Sequence, residues 1–193
     1  MSQELRAALE SSLGAGYRIE RELGGGGMSR GFVAEDLRLR RRVAIKVLAP
    51  ELTHGFSIQR FEREIQTAAG LQQANIVGVL SAGDANGLPF YIMPFVDGES
   101  LRAYLANGPL AIGETVGILR DVAKALAYAH KQGVVHRDIK PDNVLLSHGA
   151  AVVTDFGIAK AVTVSRTLGD AATLTQAGIS IGTPAHGAGA GRG

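Results

Sequence analysis

The stretch His136-Arg137-Asp138-Ile139-Lys140-Pro141-Asp142-Asn143 constrains this chain more than any other. It crowds charged side chains and an amide between apolar segments, and Val144-Leu145-Leu146 follows at once. A second acidic turn, Asp155-Phe156-Gly157, then closes the short apolar strand Val152-Val153. A turn-rich surface loop accounts for the first cluster but gives no reason for the second. Two carboxylates and an amide, on loops at the ends of short strands, are what oxygen coordination of magnesium requires.

Upstream features are weaker one by one. The run Gly24-Gly25-Gly26-Gly27 lies between predicted strands Tyr17–Leu23 and Phe32–Glu35. Glycine lets backbone amides approach phosphate oxygens, although a plain flexible hairpin uses the same residues. Lys46 ends Val43-Ala44-Ile45-Lys46 inside a third strand, Val43–Leu48. It either faces solvent from that strand or serves as a cation for nucleotide phosphates. The second role needs a carboxylate to fix it, and Glu64 on the following helix is the candidate. A helical glutamate taken alone is ordinary surface charge, and Glu62 is rotated to another face.

The remaining pattern divides the chain. Leu5, Ala8, Leu9 and Leu13 share one face of a helix over 3–13. A helix over 57–71 turns Phe61, Ile65, Ala68 and Ala69 inward. Strands are expected over 77–82 and 90–93, with Gly83 to Gly87 as the turn between them. After Asp97-Gly98, a natural hinge, the character becomes helical: 100–105 is short and 114–132 long. The long helix has Val116, Leu119, Val122, Ala123, Leu126 and Ala127 at helical spacing and Gly133 closing it. The 193 residues are 46% hydrophobic and 20% charged with a net charge of +2, a soluble globular balance that does not point to nucleic acid. Arg38, Arg40, Arg41 and Arg42 form a local basic run, read as a solvated hairpin turn or a docking patch. With no cysteine, disulfides, thiolate metal sites and cysteine nucleophiles are excluded, and a cytoplasmic location is expected. No segment has the length and apolarity of a signal peptide core or a membrane span.

Taken in order, the glycine loop, Val-Ala-Ile-Lys, helix glutamate, His-Arg-Asp loop and Asp-Phe-Gly make the chain resemble the eukaryotic-type protein kinases, in particular their bacterial serine/threonine branch. The resemblance runs from Tyr17 to about Ala185. It implies an α+β, two-lobed kinase-like fold: a five-stranded antiparallel N-lobe sheet with one main helix, and an incomplete, mostly helical C-lobe. The expected domains are a helical extension at 1–16, an N-lobe at 17–96 and a partial C-lobe at 97–185, ahead of a disordered tail at 186–193. It further implies ATP and Mg2+ as cofactors and transfer of the γ-phosphate to Ser/Thr hydroxyls of proteins, with dimerisation for autophosphorylation. Leu23, Gly24, Gly25, Gly26 and Gly27 would cover the phosphates, and Lys46, paired with Glu64, would contact them. Ala44, Met93 and Phe95 would line the adenine site. Asp138 would be the catalytic base, Lys140 would stand near the transferred phosphate, and Asn143 and Asp155 would hold the metal. Arg137 would bind a phosphorylated activation loop, with Thr173 and Thr175, and more weakly Thr167, as phosphorylation sites. Thr183 favours Ser/Thr over Tyr specificity. Retention of Lys46, Asp138, Asn143 and Asp155 argues against a pseudokinase. The alternative is a truncated, inactive remnant that at most binds ATP.

The pattern departs from the family in two places. After Gly182-Thr183-Pro184-Ala185 the family's Ala-Pro-Glu motif is replaced by His186-Gly187-Ala188-Gly189-Ala190-Gly191-Arg192-Gly193. Codons for this tail can be chosen as CAT GGC GCC GGA GCA GGC CGC GGC. With that choice, the same letters read one nucleotide later give Met-Ala-Pro-Glu-Gln-Ala-Ala, which suggests a frame shift near residue 185 that the gene sequence would settle. The second half would then lack much of its packing surface. In the glycine loop, Ser29 holds the third glycine position, and Gly31 stands where the family has a valine that packs on adenine. The missing side chain removes apolar contact of about 1–2 kcal/mol. Gly31→Val is therefore expected to bind ATP several-fold more tightly in a calorimetric titration; unchanged affinity contradicts this reading.

Overall fold

A computed structural model describes residues 2–26, 29–48 and 58–156. The first helix, α1 (Ser2–Leu13), is followed by a 3-10 turn and strands β1 (Tyr17–Gly26), β2 (Ser29–Asp36) and β3 (Arg41–Leu48). Helix α2 (Ile58–Ala69) precedes β4 (Ser81–Ala85) and β5 (Leu88–Pro94). Beyond lie β6 (Glu99–Ser100), α3 (Leu101–Leu105), α4 (Ile112–Lys131), a 3-10 turn at Pro141–Asn143, β7 (Val144–Ser147) and β8 (Ala150–Val153). The antiparallel five-stranded sheet has the order β1-β2-β3-β5-β4, and β6-β7-β8 form a second sheet.

Side chains alternate across a strand, so the large sheet has two apolar faces, each covered by one helix. Phe32, Ala34, Val43, Ile45, Val47, Phe90 and Ile92 face outward and meet Leu5 and Leu9 of α1. Leu9 is fully buried there, and Ser12 and Arg6 donate hydrogen bonds to the carbonyls of Asp84 (2.6 Å) and Ile19 (2.9 Å). Ala44, Leu48, Tyr91 and Met93 face the other way and pack on Phe61 and Ile65 of α2. Beneath, Leu71, Ala125, Ala129, Val134, Val153 and Phe156 make a third core.

Three expectations are corrected. The strand expected over 77–82 begins only at Ser81 and includes Gly83 to Ala85, which had been given to the turn. The turn itself is the pair Asn86-Gly87, both at positive φ (54° and 83°), the geometry of a two-residue hairpin. Val77 is used elsewhere: its N–H donates to the Val153 carbonyl at 2.9 Å, while Val153 N–H donates to that of Asn75 at 2.8 Å. Ala69, expected inward, is exposed, because Phe61, Ile65 and Ala68 already fill the buried stripe of α2. On α4 the buried residues are Ala125 and Ala129, whereas Val116, Leu119, Ala123 and Ala127 are exposed and Val122 and Leu126 half-buried. Small residues let α4 lie close against β8, and the larger ones stand outside.

The basic run is a hairpin turn after β2, as one of its two readings had it. The Asp36 carboxylate accepts the N–H groups of Arg38 (3.2 Å) and Leu39 (3.0 Å) and pairs with Arg41 at 3.6 Å. Arg42 instead covers the Phe95 ring, 5.3 Å from its centroid. The expectations for Gly27, Gly157, Thr167, Thr173, Thr175, Thr183 and the tail after Ala185 concern residues outside the described ones.

The Asp97-Gly98 segment, expected as a hinge, is tied to the second sheet. Ser147 Oγ donates to the Asp97 carbonyl at 2.6 Å, and a Cβ at Gly98 would stand 2.0 Å from the Leu146 carbonyl oxygen. Any side chain there must displace backbone. Gly98→Ala is thus expected to cost about 1–3 kcal/mol. Gly117→Ala, in α4 with open space around it, should stabilise by about 0.5–1 kcal/mol. Thermal melts of the two variants check the contrast.

Candidate active site

The register of β3 and β5 builds the first part of the site. Lys46 lies directly opposite Tyr91, and Ala44 opposite Met93, two positions along on the same face. Opposed side chains on one face of a sheet meet at close range. Both Lys46 and Tyr91 reach Asp155: Lys46 Nζ forms an ion pair with Asp155 Oδ2, and the Tyr91 hydroxyl donates to Oδ1 at 2.6 Å. Asp155 follows β8 at φ 65°, in the left-handed region that a residue with a side chain occupies at a cost of about 1–2 kcal/mol.

The second part is the loop after Val134. His136 is buried at its centre. Its Nε2 meets the Thr154 carbonyl at 2.7 Å, its Nδ1 accepts the Asp138 N–H at 3.3 Å, and its ring stands edge-on to Phe156, centroids 4.6 Å apart. A carbonyl only accepts, so Nε2 carries the proton and Nδ1 the lone pair: the imidazole is neutral. Burial lowers its pKa, against the opposing pull of the Thr154 hydrogen bond. Arg137 takes φ 70°, turning the chain so that Asp138 points away from this core.

Asp138 is held from two sides. Lys140 Nζ lies 2.7 Å from its Oδ2; Asn143 Nδ2 donates to its carbonyl at 2.8 Å and to Oδ2 at 3.2 Å. Thr154 N–H donates to the Asn143 carbonyl at 3.0 Å, joining this loop to the segment that carries Asp155. With its amide nitrogen committed to Asp138, Asn143 has Oδ1 with which to meet a cation. Among the described residues no three acidic or histidine side chains cluster as a metal cage. An amide oxygen and a carboxylate fit magnesium, which keeps waters and phosphate oxygens as its other ligands.

The other expected residues belong to the large sheet, to the chain just beyond it and to α2. Gly24, Gly25 and Gly26 belong to β1 itself, paired with Gly31, Arg30 and Ser29; Gly31 is in turn opposite Lys46. Leu23 is exposed on β1. Ala44 and Met93 are buried, Phe95 is half-buried just beyond β5, and Glu64 is half-buried on α2. Sequence reasoning missed Tyr91 and the supporting work of His136. The signal for Tyr91 was its place two residues before Met93, on the face that Lys46 shares.

Comparison with known proteins decides the family. The protein kinase domain model matches residues 17–178. The chain belongs to the protein kinase family, in its bacterial eukaryotic-type branch. It is similar to the serine/threonine-protein kinase PrkC of Bacillus subtilis (44% identity over 76% of this chain) and to PknJ of Mycobacterium tuberculosis (44% over 97%). It spans 23% and 31% of those two proteins. The crystal structure of the Mycobacterium tuberculosis PknI kinase domain matches with a TM-score of 0.67 and 34% identity, over 75% of this chain and 60% of that one. Kinases of this family use ATP and a divalent metal in general. Among the described residues no helix is long and apolar enough to cross a membrane.

The neutral His136 gives the site a pH dependence. The unfolded imidazole takes up its proton near 6.5 and the folded one only at lower pH, so the unfolded chain binds more protons in between. Stability is expected to be full above about pH 6.5 and to fall as the pH drops below it. Melting curves from pH 7.5 to 5 check this: His136→Gln should start less stable and show a flatter slope.

Proposed function

We propose that this chain carries the ATP site and catalytic loop of a protein serine/threonine kinase that transfers the γ-phosphate of ATP to Ser/Thr hydroxyls of proteins, itself included. The observation that supports it most is the joining of two networks, Lys46–Asp155 from the sheet side and Asp138–Lys140–Asn143 from the loop side, through the Thr154–Asn143 hydrogen bond. Phosphoryl transfer needs alignment and charge neutralisation more than covalent help, and these are the tools the residues offer.

In this reading the backbone of Gly24 to Gly27 covers the phosphates, with Leu23, Ala44, Met93 and Phe95 around the nucleotide. Lys46 turns from Asp155 to the α- and β-phosphates, with Glu64 as its helical partner. Asp138 orients the substrate hydroxyl: its oxygen bonds to the γ-phosphorus as the bond to the ADP oxygen breaks, and the hydroxyl proton passes to the carboxylate. Lys140, already 2.7 Å from Asp138, offsets charge on the moving phosphoryl group. Asn143 Oδ1 and the Asp155 carboxylate would hold magnesium, which supplies further charge neutralisation when bound.

A second reading, a remnant that binds ATP without turnover, is favoured by one observation: Ile112, Val116 and Leu119 of α4 are 84%, 47% and 61% exposed, an apolar face without cover among the described residues. Labelled ATP with magnesium separates the two. Kinase activity predicts incorporation of label that falls by about a thousandfold or more in Asp138→Asn; equal, near-zero signal in both chains identifies the remnant.

A further inference from the structure

We propose that Tyr91 is a positioning residue for Asp155, its hydroxyl fixing the carboxylate that is to hold the metal. This rests on the metal role given to Asp155 above. The argument begins with the two oxygens of that carboxylate, which are held differently. Oδ2 is held by Lys46, a flexible cation that the proposed reaction needs elsewhere. Oδ1 is held by Tyr91 at 2.6 Å, from a side chain with 2% of its surface exposed.

Tyr91 cannot easily let go. Its ring is packed with Ala44, Leu48, Phe61, Ile65 and Met93. Its hydroxyl, if deprived of Asp155, would be a buried donor without a partner, which costs about 1–3 kcal/mol. A phenylalanine would fill the same volume among these apolar neighbours, so packing alone does not explain the hydroxyl.

Asp155 needs such a restraint. It stands at φ 65°, a conformation its own backbone disfavours. When a cation replaces Lys46 at Oδ2, the bond at Oδ1 is the side-chain contact that still sets the plane of the carboxylate. Carboxylates that ligate metals are commonly fixed by such outer partners, whose loss weakens metal binding by about 10–100-fold.

The test is Mn2+ affinity, read by the electron paramagnetic resonance of free Mn2+, in the chain with a non-hydrolysable ATP analogue. Tyr91→Phe is expected to bind Mn2+ at least about tenfold more weakly at a near-unchanged melting temperature. Ile65→Val, which disturbs the same core and keeps the hydroxyl, should retain wild-type affinity, and Asp155→Ala should lose it. Wild-type affinity in Tyr91→Phe, or an equal loss in Ile65→Val, overturns the proposal while leaving Asp155 as a ligand. Mn2+ binding that survives Asp155→Ala, or is absent from the wild type, sinks the underlying reading instead.

Discussion

The ion pair between Lys46 and Asp155 joins two parts of the chain separated by more than a hundred residues. One end sits on the third strand of a sheet; the other sits on a bend after a short strand of a different sheet. Both charges are mostly out of water, 21% and 16% exposed, so each needs the other. Around them the remaining architecture has a clear purpose. α2 and the inner face of the sheet hold Tyr91 in place, the β3–β5 register sets Lys46 opposite it, and the His136–Thr154–Phe156 cluster holds the segment that presents Asp155.

The two halves also differ in how their polar groups are secured. On the sheet side, position follows from register: Lys46 faces Tyr91 because β3 and β5 pair as they do. On the loop side there is little regular structure, and side chains replace it. The side chains of His136 and Asn143 donate to the carbonyls of Thr154 and Asp138, and so hold a segment whose Arg137 is at positive φ. No buried side-chain polar atom among the described residues is left without a partner. That is what a loop bearing charged groups beside an apolar core requires.

Much of this was legible in the sequence because it is local. The short helix from Ser100 and the third strand over 43–48 follow from neighbouring residues alone; such signals need no knowledge of distant partners. The motifs around Asp138 and Asp155 were equally plain, whereas Lys46 gained its meaning only from the order of the set. What failed depended on tertiary contact. Val77 to Leu80 has a strand's composition, but Val77 is bonded to β8 rather than to the sheet. Periodicity marked the large apolar residues of α4, yet close approach to β8 selects alanines. Tyr91 read as one more strand aromatic, since only the fold brings Asp155 to its hydroxyl.

The hydrogen bonds that link Asn75 and Val77 to Val153 have a mechanical meaning. The segment after α2 is clipped to β8, and the Asn75 side chain adds a further bond to the Ala151 carbonyl at 2.8 Å. β8 ends two residues before Asp155. The segment that follows α2 and the strand that leads to Asp155 are therefore joined directly, without passing through the large sheet. Whatever displaces Asn75 and Val77 acts on β8 at the end from which Asp155 emerges.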